Sequence, residues 1–468
     1  MRKVKIVCTM GPSTKGVPRL VELMNAGMDV ARLNFSHGDY AAHRQTYEEI
    51  RTAAKQAGKV VAVLADLCGP KIRVGEMAGG KVELVRGAPI VLTTRSIQGT
   101  AEAVSHTYTP LARDVKPGDR ILLDDGLLEL TVDKVDGDDV KCVVKVGGIL
   151  KNKKGMNLPG AKLSTAALTE KDKADLKFAK ELGVDLFALS FVRTAKDLQD
   201  AKALAGDVPV IAKIEKPEAV ENLAEILDAA DGAMVARGDL GVEAGHEKVP
   251  LIQKRIIHDV KTRAKPVIIA TQMLDSMINN PTPTRAEVSD VANAVLDGTD
   301  AVMLSGETSV GAWPVEAVKT LASIIHEMEH SSYLKQSMHL SPPVSEKTFS
   351  NAIADASAEI AAHLGLAALA VYTETGRSAA LMSAHRPEGN IVAFSRNLPV
   401  LNRLALLWGV QPMHGEWVKG VAGVVEQAER RMLEQGLVKS GDNIAITFGM
   451  VIDKEPFTTN IIKLWKVR

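Results

Sequence analysis

Pro209-Val-Ile-Ala-Lys-Ile-Glu215 is apolar enough to be a fully buried strand, except that Lys213 and Glu215 interrupt its C-terminal end. Residues i and i+2 of a strand share a face. An ammonium and a carboxylate therefore emerge side by side from a hydrophobic element. Buried charges are costly without a partner, a metal or a substrate, so this strand end is a candidate for chemistry.

Outward from that stretch, short apolar runs alternate with helix-like segments, which predicts parallel β/α architecture. Eight strand candidates cover residues 3–9, 29–36, 60–67, 185–191, 209–215, 233–239, 266–273 and 301–307. Eight is the number that closes a (β/α)8 TIM barrel. Helix punctuation supports the alternation. Thr169-Glu-Lys-Asp172 offers an N-cap with an acid three residues on, and Gly183 stops that helix. Thr284-Arg-Ala-Glu287 has the form of a capping box, opening a helix that ends near Gly298.

Two segments break the pattern. Between residues 69 and 163 the chain reads as β-hairpins, with turns at Asp124-Asp-Gly126 and around Asp136-Gly-Asp138. A small β-barrel lid domain inserted at the top of the main barrel is expected there. After His339, Leu-Ser-Pro-Pro signals a linker. The remainder resumes αβ alternation, with strands near 367–372, 390–394 and 443–447, and forms a C-terminal α/β domain. The division expected is 1–68 with 164–339 for the barrel, 69–163 for the lid and 340–468 for the tail domain. That leaves roughly 240 residues for the barrel, close to the usual ~250.

At 468 residues the chain exceeds one ordinary core, in keeping with several domains. Lys plus Arg and Asp plus Glu both number 57, so the net charge is zero. A nucleic-acid or membrane-surface binder carries a basic excess, and neither partner is expected. Cys8, Cys68 and Cys142 lie far apart without metal-ligand spacing, as in a reduced protein. With no signal-peptide pattern and no run long enough to cross a bilayer, a cytoplasmic location is the expectation.

In a barrel enzyme the site lies at the C-terminal strand ends. The second strand ends Ala31-Arg-Leu-Asn-Phe-Ser-His37, placing Arg32, Asn34 and Ser36 on one face. A guanidinium with two neutral oxygen donors points to a phosphate and a hard cation; a capped strand end with a surface ion pair is the other reading. The sixth ends Ala236-Arg-Gly-Asp-Leu-Gly241. Glycines flanking Asp239 allow close backbone approach and open a short helix whose amides favour an anion. Asp239 and Glu215 make a magnesium pair, since that ion keeps waters and takes other ligands from substrate oxygens. Thr271 and Ser305 add hydroxyls to the same rim, and no GxxxxGK[ST] loop occurs.

The segments Lys5-Ile-Val-Cys-Thr-Met-Gly-Pro12, Arg32-Leu-Asn-Phe-Ser-His-Gly38, Gly69-Pro-Lys-Ile-Arg73, Lys154-Gly-Met-Asn-Leu-Pro159, Met234-Val-Ala-Arg-Gly-Asp-Leu-Gly241 and Ala270-Thr-Gln-Met273 closely resemble pyruvate kinase. So does the run from Pro283 through Asp290-Val-Ala-Asn-Ala-Val to Ser305-Gly-Glu307. The resemblance implies transfer of a phosphoryl group from phosphoenolpyruvate to ADP, giving pyruvate and ATP, with Mg2+ or Mn2+ as cofactor. It implies that Arg32 and Lys213 hold the phosphoryl and that Glu215 and Asp239 bind the divalent ion. Backbone amides of Gly238 and Asp239, with Thr271, would hold the substrate carboxylate. Asn34, His37, Arg73 and Lys154 would meet nucleotide, and Ser305 would help protonate the enolate. A closing lid would exclude water.

Family members that read Gly-Pro-Glu-Ile-Arg need potassium, held partly at positions matching Asn34, Ser36 and Asp66. Here Lys71 replaces the acid, and activity without potassium is expected. Thr373-Glu-Thr-Gly-Arg-Ser378 matches the family's phosphorylated-effector loop, of the sugar-phosphate or AMP-activated type; from spacing alone it reads as an ordinary capped turn. A homotetramer follows from the resemblance. The alternatives are a magnesium-dependent aldolase or lyase acting on pyruvate, which needs no nucleotide-facing residues, and a non-catalytic sensor, which would have no need of Lys213, Glu215 and Asp239.

Overall fold

The computed structural model describes residues 2–161, 163–333, 344–416, 418–449 and 458–468. All eight expected barrel strands form: β1 (Lys5–Thr9), β2 (Val30–Asn34), β3 (Ala62–Asp66), β4 (Leu186–Leu189), β5 (Val210–Ile214), β6 (Gly232–Ala236), β7 (Val267–Ala270) and β8 (Ala301–Leu304). They pair in parallel, each with its sequence neighbours, and β8 closes the ring onto β1. Each is shorter than its apolar run, trimmed at one end or both.

The barrel interior is a packed core rather than a pore. Val7, Val30, Leu64, Ile211, Met234, Ile268 and Met303 fill it, and Ala405 and Leu406 of the C-terminal domain close it from below. Around it run the helices that the capping residues predicted. Thr169 and Asp172 cap Glu170–Leu182, which ends at left-handed Gly183 (φ 90). Thr284 and Glu287 cap Arg285–Leu296. No helix of the described residues is long and apolar enough to span a membrane.

The inserted segment leaves the barrel after β3 and returns before β4. Its strands form a six-stranded sheet and a two-stranded ribbon. The hairpin joining Leu128–Asp136 to Asp139–Val146 turns at Gly137, whose φ of 63 suits its lack of a side chain. Register shifts in that pair, between Glu129 and Leu130 and between Val132 and Lys134, bend the sheet. Single bridges Arg73–Gly155 and Val74–His106 then reach both of its edges. Residues 73–74 thus span the two edges of the inserted sheet, and Arg73 is held between them.

Five strands follow among the described residues of the last domain: β9 (Ala368–Tyr372), β10 (Asn390–Ser395), β11 (Val410–His414), β12 (Asn443–Phe448) and β13 (Ile461–Lys466). Their order is β11-β10-β9-β12-β13, parallel except for β13. The two edge strands are additions to the sequence reading. Pro412 inside β11 removes a ladder donor, which an edge tolerates and a sequence pattern does not advertise. The expected linker Leu340-Ser-Pro-Pro lies outside the described residues.

Candidate active site

The strand registers bring the rim residues together. Asn34 stands opposite Asp66 across β2 and β3, and Thr9 opposite Arg32 across β1 and β2. Arg32 Nε donates to Asp66 Oδ2 at 2.7 Å, and its Nη1 donates to Thr9 Oγ1 at 3.0 Å. On β5 the Lys213 ammonium lies 2.8 Å from Glu215 Oε1 and donates to Ser190 Oγ at 2.7 Å. Its 3.3 Å approach to Asp66 Oδ1 is an ion pair without hydrogen-bond geometry, and that buried oxygen makes no hydrogen bond. Two cations and two carboxylates thus form one chain, Arg32–Asp66–Lys213–Glu215.

Electrostatics follow from this chain. Burial would raise the Asp66 carboxyl, but Lys213 and Arg32 outweigh it and hold it below the ordinary range. Burial would lower the Lys213 ammonium; Asp66 and Glu215 instead raise it, so it stays charged. Glu215 is raised, by burial first, with Lys213 opposing and nearby Asp239 adding to the effect. Glu215 and Asp239 therefore repel each other in a poorly hydrated place, the condition a cation relieves. No group of three or more His, Cys, Asp or Glu gathers for a metal among the described residues. Two hard carboxylates suit magnesium, which fills its other positions with water and ligand oxygens.

A cavity of about 120 Å³ opens at this rim. Of the residues singled out in the sequence, Arg32, Asn34, Ser36, His37, Asp66, Lys71, Arg73, Lys213, Glu215, Asp239, Thr271 and Ser305 line it. Gly238 does not, and its amide donates to Thr271 Oγ1 at 2.8 Å. Lys154 stands outside the cavity too, on the inserted domain, paired with Asp124 at 2.8 Å. Thr271 and Gln272 sit at φ 69 and 53, a region that β-branched residues avoid.

Residues 1–318 match the family model for the pyruvate kinase barrel domain, and residues 351–465 match the model for its alpha/beta domain. The chain belongs to the pyruvate kinase family. It is 47% identical to the pyruvate kinase of Geobacillus stearothermophilus, over 99% of this chain and 80% of that one. Identity is also 47% to that of Mycobacterium intracellulare, over 96% and 95%. A crystal structure of a pyruvate kinase from Cryptosporidium parvum, 36% identical, superposes with a TM-score of 0.92 and covers 100% of this chain and 96% of that one. The protein is accordingly a phosphotransferase with pyruvate kinase activity, passing the phosphoryl group of phosphoenolpyruvate to ADP.

Three site residues, Ser190, Thr9 and Phe191, were not expected from the sequence, and Arg237 was expected only as part of its motif. Ser190 directly follows β4 and bridges Lys213 to the Leu67 carbonyl; its place just past a strand end was the available signal. Thr9 is its counterpart on β1. Phe191 donates its amide to Glu215 Oε2 at 2.9 Å from a left-handed backbone, φ 57. A side chain on Gly69 would meet the Phe191 ring at 2.6 Å, which ties the lid entry to the site. Arg237 belongs to the recognised Arg-Gly-Asp motif, but its role lies in the backbone it holds: it donates to the carbonyls of Thr271 and Gln272.

Proposed function

We propose that pyruvate kinase chemistry here is carried by the Arg32–Asp66–Lys213–Glu215 chain, and the observation behind this is Lys213 held between two buried carboxylates at the cavity wall. Arg32 and Lys213 neutralise the migrating phosphoryl group, with Lys213 serving the charge that develops in transit. Glu215 and Asp239 hold a divalent ion, which when bound supplies further neutralisation at the phosphoryl and substrate oxygens. Thr271 and the Gly238 and Asp239 amides take the substrate carboxylate. This requires the Gly238 N–H to leave Thr271 Oγ1 on substrate binding. Ser305 stands by for enolate protonation. Asn34, His37, Arg73 and Lys154 meet the nucleotide, and the inserted domain closes over it.

A magnesium-dependent assay coupled to lactate dehydrogenase tests this reading. Lys213→Met is expected to lower kcat by about a thousandfold, as for loss of a transition-state donor; near-wild-type turnover would refute it. ATP formation from ADP also separates this activity from the aldolase or lyase alternative, which makes no use of Arg73 or Lys154.

Potassium independence is supported by Lys71, which lines the same cavity as Asn34, Ser36 and Asp66. A tethered ammonium there replaces the monovalent ion. Activity that vanishes in potassium-free buffer and returns with the ion would overturn this.

For the effector, Tyr372, Thr373, Glu374, Thr375, Arg377, Ser378 and Arg396 line a cavity of about 460 Å³ in the last domain. The expected loop residues, with Gly376 opening the helix Arg377–Ala384, suit a phosphorylated metabolite. Arg377 now pairs with Glu346. Calorimetry with sugar phosphates and AMP should show binding that Arg377→Ala diminishes. A homotetramer, a cytoplasmic location and the boundaries 68/69, 163/164 and 339/340 complete the reading; sedimentation and limited proteolysis test the first and last.

A further inference from the structure

Lys216 follows Glu215 directly and is buried, 4% exposed. Its ammonium lies 2.5 Å from Glu243 Oε1. Glu243 stands on the helix Arg237–Ala244, four residues beyond Asp239 and so on the same face. The same Oε1 accepts from Asn157 Nδ2 at 2.9 Å, and Asn157 belongs to the strand Met156–Asn157 of the inserted domain. Lys216, Asp239, Glu243, Asn157 and Phe191 line one narrow cleft between that domain and the barrel. The Lys216 ammonium also lies 5.8 Å from the centroid of the Phe191 ring, and Phe191 is the residue whose amide holds Glu215.

We infer that Lys216, Glu243 and Asn157 are positioning residues for the Glu215/Asp239 pair, and that Asn157 couples divalent-ion binding to the seating of the inserted domain. The inference rests on reading Glu215 and Asp239 as the ion's ligands. Lys216 and Glu243 join the end of β5 to the helix after β6, the two elements that carry those carboxylates. A buried ion pair holds its geometry only while both partners stay and the remaining oxygens are satisfied. When the inserted domain swings away, Glu243 loses one of its two donors. The helix bearing Asp239 is then less firmly oriented. Partners behind metal-binding carboxylates commonly change affinity by about ten- to a hundredfold.

The test is Mn2+ titration of the full chain, with free ion read by electron paramagnetic resonance, alongside thermal midpoints. Asn157→Ala is expected to weaken Mn2+ binding about tenfold with the midpoint unchanged. Glu243→Gln weakens it at least as much, and the double variant is no weaker than Glu243→Gln alone, because Asn157 acts through Glu243. Affinity within about twofold of wild type for Asn157→Ala, or additive losses in the double variant, overturns the inference. If Glu243→Gln fails to fold, Asn157→Ala alone decides. A Glu215→Gln control that binds Mn2+ like wild type would instead refute the ligand pair itself.

Discussion

The Arg237 guanidinium donates to the Thr271 carbonyl at 2.7 Å, while Thr271 occupies a left-handed backbone conformation at φ 69. Such a conformation costs about 1–3 kcal/mol and persists only where the surroundings hold it. Arg237 is that hold, anchored in turn by Asp290 at 2.7 Å. Lysine cannot reach the Thr271 and Gln272 carbonyls and Asp290 together. Arg237→Lys is therefore expected to lower kcat by about ten- to a hundredfold through a displaced Thr271 hydroxyl. Steady-state kinetics with unchanged kcat would count against the clamp.

A pH effect follows from the seam between the barrel and the last domain. Burial first, and then Arg386, lower the Lys261 ammonium to about 7 against the pull of Asp300. Unfolded, the group titrates near 10.5. Between these values the unfolded chain holds a proton that the folded chain has lost, so stability gains with rising pH by at most about 1.4 kcal/mol per unit. Lys261→Met should remove that gain. Thermal midpoints at several pH values across the window check this; parallel profiles for both proteins would contradict it.

His37 is held below its ordinary 6.5, by burial first and then by Arg73, Lys71 and Arg32. A polyanion placed among those cations relieves the repulsion and raises the imidazole. ADP binding near pH 6 is therefore expected to take up protons. Calorimetry in buffers of differing ionisation enthalpy measures this, and His37→Asn should abolish it. Equal heats in all buffers with wild type would argue that His37 does not face the nucleotide.

Thiol reactivity separates the cysteines. Cys8 and Cys142 are buried, and burial pushes both thiols up, Cys142 to about 12. Cys68 is half-buried and lines the active-site cavity. An aromatic disulfide reagent should titrate one thiol of the three in the folded protein, and phosphoenolpyruvate with ADP should slow it. Reaction of two or more thiols without unfolding would be inconsistent with this packing.

The amino-acid pattern alone pointed to the barrel, because a strand covered on both faces reads as a nearly continuous apolar run and eight such runs alternate with helical segments. It also located the helix ends at Thr169, Gly183 and Thr284, since caps are local chemistry. Arg32, Lys213, Glu215 and Asp239 were legible for a similar reason: charges at the end of an apolar run stand out. Only the tertiary structure decided how they pair. Asp66 became the link between Arg32 and Lys213 through the register of β2 with β3, which no local rule encodes. Ser190, Phe191 and Arg237 gained their roles from strands and loops far away in the chain, as did Asn157 on Glu243. Pairings of this kind depend on barrel closure and on the seating of one domain against another, and a linear sequence carries those distances only implicitly.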